Sequence, residues 1–476
     1  MGSSGERNIH VLLLPFPVQG HINPLLQFGK RLASHSGVRC TLAATRFVVS
    51  STKPTPSSVH VAVFSDGCDG GGPDELGGVG AAYFERLESA GSETLDALLR
   101  SESELGRPVD VVVYDAFAPW AQRVARRRGA ASAAFLTQTC AVDILYAHAW
   151  AGRVPPPPLR PEDVRGLDGL PCQLEVSDMP TFLSDTSYPP CFRELLVNQF
   201  LGMDTVEHVL VNSFYDLEPQ ARALIPNAYM IEADYMASRW RAKMIGPTVP
   251  SAFLDKRLPD DVSYGIHLHT PMTAESKAWL DAQQPRSVLY VSFGSMASLG
   301  PDQMREIAEG LYGSGKPFLW VVRATEAGKL PEGFAGGKAK GSRGLIVPWC
   351  PQLEVLAHPA VGCFMTHCGW NSTVEALAAG VPMVAMPNWS DQTTNAKYIQ
   401  DVWRVGVRVR PDDDGGVVRS AEVERCVREV MEGEMCEEFR TKALEWSGKA
   451  RKSMAEGGAS DVNISDFLSS FGHTSN

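Results

Sequence analysis

Two doubly wound α/β sheets facing each other across a cleft are predicted by three features of this chain. Short β-branched apolar runs alternate with amphipathic or alanine-rich stretches over most of its length, as the strands and helices of parallel sheets do. The alternation lapses in IGPTVPSAFLDKRLPDDVSYGIHLHT and then restarts, and polar and aromatic residues gather directly behind several apolar runs. In chain order, strands are expected at 9–14, 39–44, 59–64, 109–114, 131–136 and 208–212, with helices in several of the gaps. A second set is expected at 287–293, 318–322, 344–347, 361–366 and 381–386. Proline, glycine and mixed charge break any period between the two sets, so 246–270 is a linker joining a first domain, 1–245, to a second, 271–455. Residues 456–476 are a C-terminal helix and tail. The glycine-rich stretch 67–80 reads as a mobile surface loop and the prolines at 155–158 as a spacer.

At 476 residues, 44% hydrophobic and 21% charged, the chain can bury more than one core. A net charge of -11 opposes a nucleic-acid partner, and the densest basic stretch, RVARRRG, reads as the solvated end of a helix. Ten cysteines without regular spacing suggest thiols in a reducing compartment. The beginning, MGSSGERNIH, has no apolar signal core, and Glu6 stands where a myristoylation motif needs Ser or Thr. No apolar run approaches the ~20 residues of a spanning helix. A cytoplasmic monomer without a membrane partner is expected.

Strands of a parallel sheet all point one way, so the residues behind them collect along one edge, where open α/β proteins bind ligands. In the second domain that edge would gather Gly294 and Ser295, then Trp349, Cys350 and Gln352, then the stretch MTHCGWNSTVEALAAG, then Asn388, Trp389, Ser390, Asp391 and Gln392. A helix starting near Asn371 would offer free N–H groups to an anion, most plausibly phosphate, with Gly369 allowing close approach. A competing reading makes Ser372 and Glu375 a capping box that satisfies only the helix itself. It does not account for His367, Trp370 or Asn371. Cys350, Cys363, His367 and Cys368 lack the paired short spacing of structural zinc sites, and the acidic run 412–414 reads as solvated loop, so no metal is expected.

In the first domain, LLLPFPVQGHINP puts His21 behind the first strand, at the start of a helix, where a lone histidine is by default only a helix-start residue. VDVVVYDAF puts Asp115 at the end of another strand, on the same edge. Together they suit a general base and the carboxylate that fixes its tautomer.

The stretch WCPQLEVLAHPAVGCFMTHCGWNSTVEALAAGVPMVAMPNWSDQ, 349–392, resembles the signature box of plant family 1 UDP-dependent glycosyltransferases along its whole length without a gap. The resemblance extends over nearly the whole chain, including GHINP, and within the family is greatest to cereal members that glucosylate trichothecenes and to their relatives. It implies two facing Rossmann-like domains of the GT-B type, the first binding the acceptor and the second the UDP-sugar, with the C-terminal helix crossing back onto the first. It also implies that Trp349 stacks on uracil, with Cys350 and Gln352 completing the nucleoside pocket and Glu375 holding the ribose. His367, Asn371, Ser372 and Ser295 would bind the diphosphate; Trp370, Asp391 and Gln392 would bind the sugar. His21 and Asp115 match the family's catalytic pair. The implied reaction is an inverting transfer of glucose from UDP-glucose, a co-substrate, to a hydroxyl of a hydrophobic trichothecene, phenolic, terpenoid or carboxylic-acid acceptor, with neither cofactor nor metal. Candidates for the acceptor wall are Phe117, Trp120, Phe135, Thr137, Gln138, Cys140, Phe200 and Ser298. A UDP-sugar epimerase or hydrolase, or a non-catalytic sugar-nucleotide-binding protein, are the alternatives.

Overall fold

The computed structural model describes residues 8–52, 57–170, 173–217, 232–334, 343–412 and 416–471. The expectations for the first seven residues, and for Asp413 and Asp414, lie outside these. Among the described residues the chain forms two fully parallel sheets of seven and six strands. The first contains β1 (Ile9–Leu14), β2 (Val38–Thr45), β3 (Val59–Phe64), β4 (Val111–Asp115), β5 (Ala131–Leu136), β6 (His208–Val211) and β7 (Lys243–Met244), in the order β3-β2-β1-β4-β5-β6-β7. The second contains β8 (Val288–Ser292), β9 (Phe318–Val321), β10 (Gly344–Val347), β11 (Val361–Thr366), β12 (Met383–Ala385) and β13 (Gly406–Arg408), in the order β10-β9-β8-β11-β12-β13. Each sheet therefore reverses its winding beside its own first strand, between β1 and β4 and between β8 and β11. Crevices at such reversals are where doubly wound sheets bind ligands.

The strands hold because helices cover both faces. Val11 to Leu14 are at most 1% exposed, which explains why VLLL is a continuous apolar run rather than an alternating one. The helix Gln19–Ala33 packs Leu25, Leu26, Phe28 and Leu32 onto one side. A continuous core runs from this face through Phe135 and Ile245 into Tyr290, Phe364, Trp370 and Trp403 of the second domain. Two edge strands were not expected, β7 and β13. Each is only two or three residues long and carries little apolar signal, so pairing with its neighbour defines it.

The linker segment is not a loose tether. Asp261 receives hydrogen bonds from Gln27 and Lys30, and Asp255 receives one from Arg31, so it lies as a strap along the helix Gln19–Ala33. The helix Ala459–Ser469 packs on the first domain: Ser460 Oγ donates to Gly246 O at 2.6 Å, Asn463 Nδ2 to Met244 O at 2.9 Å, and Phe467 meets Phe28 and His208. The stretch 67–80 is more than a mobile loop. It contains a 3-10 turn, Gly72–Leu76, and Glu75 accepts from Gly70 N and Gly71 N. Within RVARRRG, Arg123 pairs with Glu88, Arg127 and Arg128 pair with Asp96, and Arg126 donates to Thr205 O at the surface. Among the described residues no helix is long and apolar enough to cross a membrane.

Candidate active site

A cavity of about 450 Å³ lies where the two switch points face each other, within the size range of small-molecule sites. Residues of both domains and of the strap line it.

On the first domain, His21 sits in the opening turn of the helix behind β1, and Asp115 is the last residue of β4, the neighbouring strand. Adjacent positions in the sheet thus bring together residues 94 apart in the chain. His21 Nδ1 lies 2.6 Å from Asp115 Oδ2, and Asp115 Oδ1 accepts from Phe117 N at 3.0 Å. Asp115 is fully buried and His21 is partly exposed to the cavity, so the aspartate takes Nδ1 and leaves Nε2 for a ligand. Phe117 packs against the imidazole at 4.7 Å between ring centres.

On the second domain every expected donor-side residue lines the cavity: Ser295, Trp349, Cys350, Gln352, His367, Trp370, Asn371, Ser372, Glu375, Asp391 and Gln392. The capping box does not form. The helix is Trp370–Ala379, its N-cap is Gly369 without a side-chain cap bond, and Ser372 is already inside its first turn. Glu375 instead accepts from Gln352 Nε2 at 2.7 Å and from the strap's Tyr264 OH at 2.8 Å, while Gln352 Nε2 also donates to Ser372 Oγ at 3.0 Å. Burial pushes the Glu375 carboxyl up to about 6 against these two hydrogen bonds. Asp391 is likewise pushed up to about 6 by burial, opposed by Asn395 Nδ2 at 2.7 Å. Gln392 Oε1 accepts from the backbone N–H groups of Asn388 and Trp389, which fixes the orientation of its amide.

His367 is wedged between two turns. A Cβ at Gly294 would lie 2.6 Å from its Nε2 and a Cβ at Gly369 2.5 Å, so both glycines are needed for the ring to reach between the ends of β8 and β11. Burial lowers its pKa to about 4, and the ring is neutral at pH 7. Arg323, at the end of β9, donates to Ser295 O at 2.6 Å and braces the neighbouring turn.

Two contacts join the domains at the floor of the cavity. Asn371 Nδ2 donates to Gly20 O at 2.5 Å. That carbonyl is available because its helical partner four residues on is Pro24, which has no N–H. Trp370 Nε1 donates to Asn212 O at 2.7 Å in a buried contact, so this indole N–H is committed to the first domain and is not offered to a sugar.

Of the expected acceptor residues, Phe117, Thr137 and Gln138 line the cavity. Five do not. Phe135 points to the other face of β5, against Phe28; Trp120 packs over Gly91; Cys140 lies against Met244; Phe200 packs on Trp240; and Ser298 lies outside with Glu326 and Lys329. The aromatic and apolar side of the cavity is made instead by Phe16, Val79, Phe84, Phe182, Phe192, Leu195 and Trp389. Phe182 stacks on Phe192 at 5.1 Å and meets Trp389 edge-on at 5.5 Å, and Thr181 and Ser390 exchange two hydrogen bonds. The segment carrying Phe182 and Phe192 has no strand periodicity, so only its aromatic residues could have signalled it.

The chain's likeness to known proteins decides the class of chemistry. Residues 167–442 match the family model for UDP-glucoronosyl and UDP-glucosyl transferases. This protein belongs to the UDP-glycosyltransferase family. Among curated relatives, this glycosyltransferase is 48% identical to UDP-glucosyltransferase UGT13248 of Hordeum vulgare subsp. vulgare, over 98% of this chain and 95% of that one. It is also 48% identical to UDP-glycosyltransferase 79 of Oryza sativa subsp. japonica, over 97% and 96%. The crystal structure of Os79 from O. sativa with UDP matches with a TM-score of 0.88 at 47% identity, covering 97% of this chain and all of that one. Os79 with UDP and deoxynivalenol-3-glucoside matches at 0.85 and 46%, with the same coverage. This glycosyltransferase thus has the two-domain fold of these enzymes, and its family uses UDP-activated sugars.

Proposed function

We propose that this enzyme transfers glucose from UDP-glucose to a hydroxyl of a hydrophobic small molecule, with inversion at the anomeric carbon and His21 as general base. The observation that carries this reading is one continuous cavity lined by the His21–Asp115 pair, an aromatic wall and the second sheet's edge. His21 Nε2 takes the acceptor's proton as its oxygen attacks the anomeric carbon from the face opposite UDP, and Asp115 stabilises the imidazolium that forms. No covalent intermediate is needed, so Ser295 and Ser372 serve as hydrogen-bonding groups. Trp349 supplies a half-buried flat surface for uracil and Glu375 an acceptor pair for the ribose diol. The first-turn N–H groups of Trp370–Ala379, with Ser295, Asn371 and neutral His367, face the leaving diphosphate. Asp391 and Gln392 serve the sugar hydroxyls.

The aromatic wall, with Thr137 and Gln138 as its polar points, suits acceptors such as trichothecenes, phenols and terpenoids. The likeness to the rice enzyme in complex with deoxynivalenol-3-glucoside supports a trichothecene among them. Nine described cysteines are all free thiols, which supports a reducing, cytoplasmic setting. Mass-spectrometric screening of trichothecenes, phenols, terpenoids and carboxylic acids with UDP-glucose tests the reading. A product heavier by one hexose and cleaved by a β-glucosidase is expected. UDP release without acceptor modification would instead indicate a hydrolase.

A further inference from the structure

The strap between the domains touches two of the residues assigned above to the nucleoside, Glu375 and Trp349. Tyr264 OH donates to Glu375 Oε1 at 2.8 Å, and the His269 ring lies on Trp349 at 4.4 Å between centroids, tilted by 39°. Met272 N donates to Trp349 O at 2.9 Å. The strap itself is held on the first domain: Gln19 Nε2 donates to Ile266 O at 2.9 Å, Gln19 Oε1 accepts from Leu268 N at 2.8 Å, and Asp261 takes Gln27 and Lys30. Gln19 lies two residues before His21 on the same helix. A segment that sequence pattern marks only as a linker thus forms one wall of the cavity.

At Glu375 each carboxylate oxygen has one protein donor, Tyr264 on Oε1 and Gln352 on Oε2. An ionised carboxylate has about four lone-pair sites, so each oxygen keeps one. Two donors on opposite oxygens fix the plane of the group, and the remaining sites form a pair suited to two adjacent hydroxyls. We infer that Tyr264 is a positioning residue of the donor site, by which the strap orients the Glu375 carboxylate for the vicinal diol of a nucleoside diphosphate. This rests on the reading of Glu375 given under the proposed function.

The groups around Glu375 are Tyr264 from the strap, Gln352, Ser372 on its own helix, and Tyr290 with Cys350 behind Gln352; Asp261 faces Tyr264. Burial raises the Glu375 pKa, and the bonds from Gln352 and Tyr264 pull it back. Removing one donor therefore moves the titration upward.

Calorimetric titration of UDP and 2′,3′-dideoxy-UDP between pH 5.5 and 8.5 tests this on the full chain and on Tyr264→Phe. The variant is expected to bind UDP three- to tenfold more weakly at pH 7, to bind the dideoxy nucleotide as the parent does, and to lose UDP affinity at a higher pH as the solution is acidified. A variant that keeps either the parent's ratio of the two affinities or the parent's midpoint overturns the inference. Glu375→Gln separates this from the functional reading. If it too keeps the parent's ratio, Glu375 does not hold the diol and the site assignment falls; if it loses the ratio while Tyr264→Phe keeps it, only the role of Tyr264 falls. Should Tyr264→Phe not fold, Gln19→Ala, which loosens the strap at Ile266 and Leu268, is expected to shift both readouts the same way by less. An unchanged ratio there counts equally against the inference.

Discussion

His21 has two ring nitrogens, and Asp115 at 2.6 Å occupies one of them. If the other takes the acceptor's proton, His21→Ala lowers glucoside formation about 10²–10⁴-fold, the usual contribution of a positioned base, while UDP affinity measured by calorimetry stays unchanged. Loss of both together would reassign His21 to donor binding. The buried carboxyls follow a different logic. Glu375 is raised from the usual 4.5 to about 6, so the folded protein holds this proton more tightly than the unfolded chain does. Its contribution to ligand-free stability is complete below about pH 4.5 and is lost as pH rises through about 6, a difference of ~2 kcal/mol. Denaturation of ligand-free Glu375→Gln should therefore show its gain over the parent at pH 8 exceeding that at pH 5. A gain independent of pH would mean the carboxyl titrates normally. The residue types at these positions were legible in the sequence, as were their places behind β1, β4, β10 and β11. The partner of Glu375 was not, because Tyr264 reaches it from 111 positions away, out of a segment with no periodic signal.

Elements behave as their patterns foretell where an apolar run is long enough to pair along its length. Eleven expected strands appear, from the fully buried β4 to the edge strand β3, whose Val61 and Val63 are exposed. β7 and β13 escaped because they are short, and β13 begins with a glycine. That glycine is structurally required: a Cβ on Gly406 would lie 1.8 Å from the carbonyl oxygen of Met383, a backbone atom that cannot step aside. Gly406→Ala is expected to cost about 3 kcal/mol or more, read as a lowered denaturation midpoint, because β12 and β13 must separate. A neutral result would show that the edge strand tolerates displacement. The helix Trp370–Ala379 teaches the converse lesson. Its Ser372-x-x-Glu375 spacing fits a capping box, yet Gly369 caps the helix and the glutamate turns to tertiary partners. Local motif rules fail where another element offers a buried carboxylate a better pair of donors.

At the scale of the whole molecule, the cavity exists because the two domains meet through specific buried bonds as well as a shared core. Trp370 Nε1 to Asn212 O and Asn371 Nδ2 to Gly20 O both come from the helix start assigned to the diphosphate, so one turn of backbone serves ligand binding and domain docking. Trp370→Phe keeps most of the packing and orphans the Asn212 carbonyl, which should cost about 1–3 kcal/mol. Thermal unfolding checks the size of that loss, and no change would mean water replaces the indole. Pro24 contributes at this scale too: by lacking an N–H it gives up a helical bond that Asn371 replaces from the other domain. Packing also explains why part of the cavity lining was missed. Phe135 and Phe117 both follow or end apolar runs, but the pleat of β5 sends Phe135 to Phe28 while Phe117 turns with the loop onto His21.

By itself the sequence determined two parallel sheets, the edge on which chemistry would collect, and the identities of the groups behind each strand, since periodicity and strand direction are local properties. Tertiary structure alone decided which aromatic residues line the cavity, that Glu375 pairs with a strap tyrosine, and that Trp370 ties the domains together. Those outcomes depend on which of two faces a side chain takes and on partners more than a hundred residues away, where only packing of the whole chain discriminates.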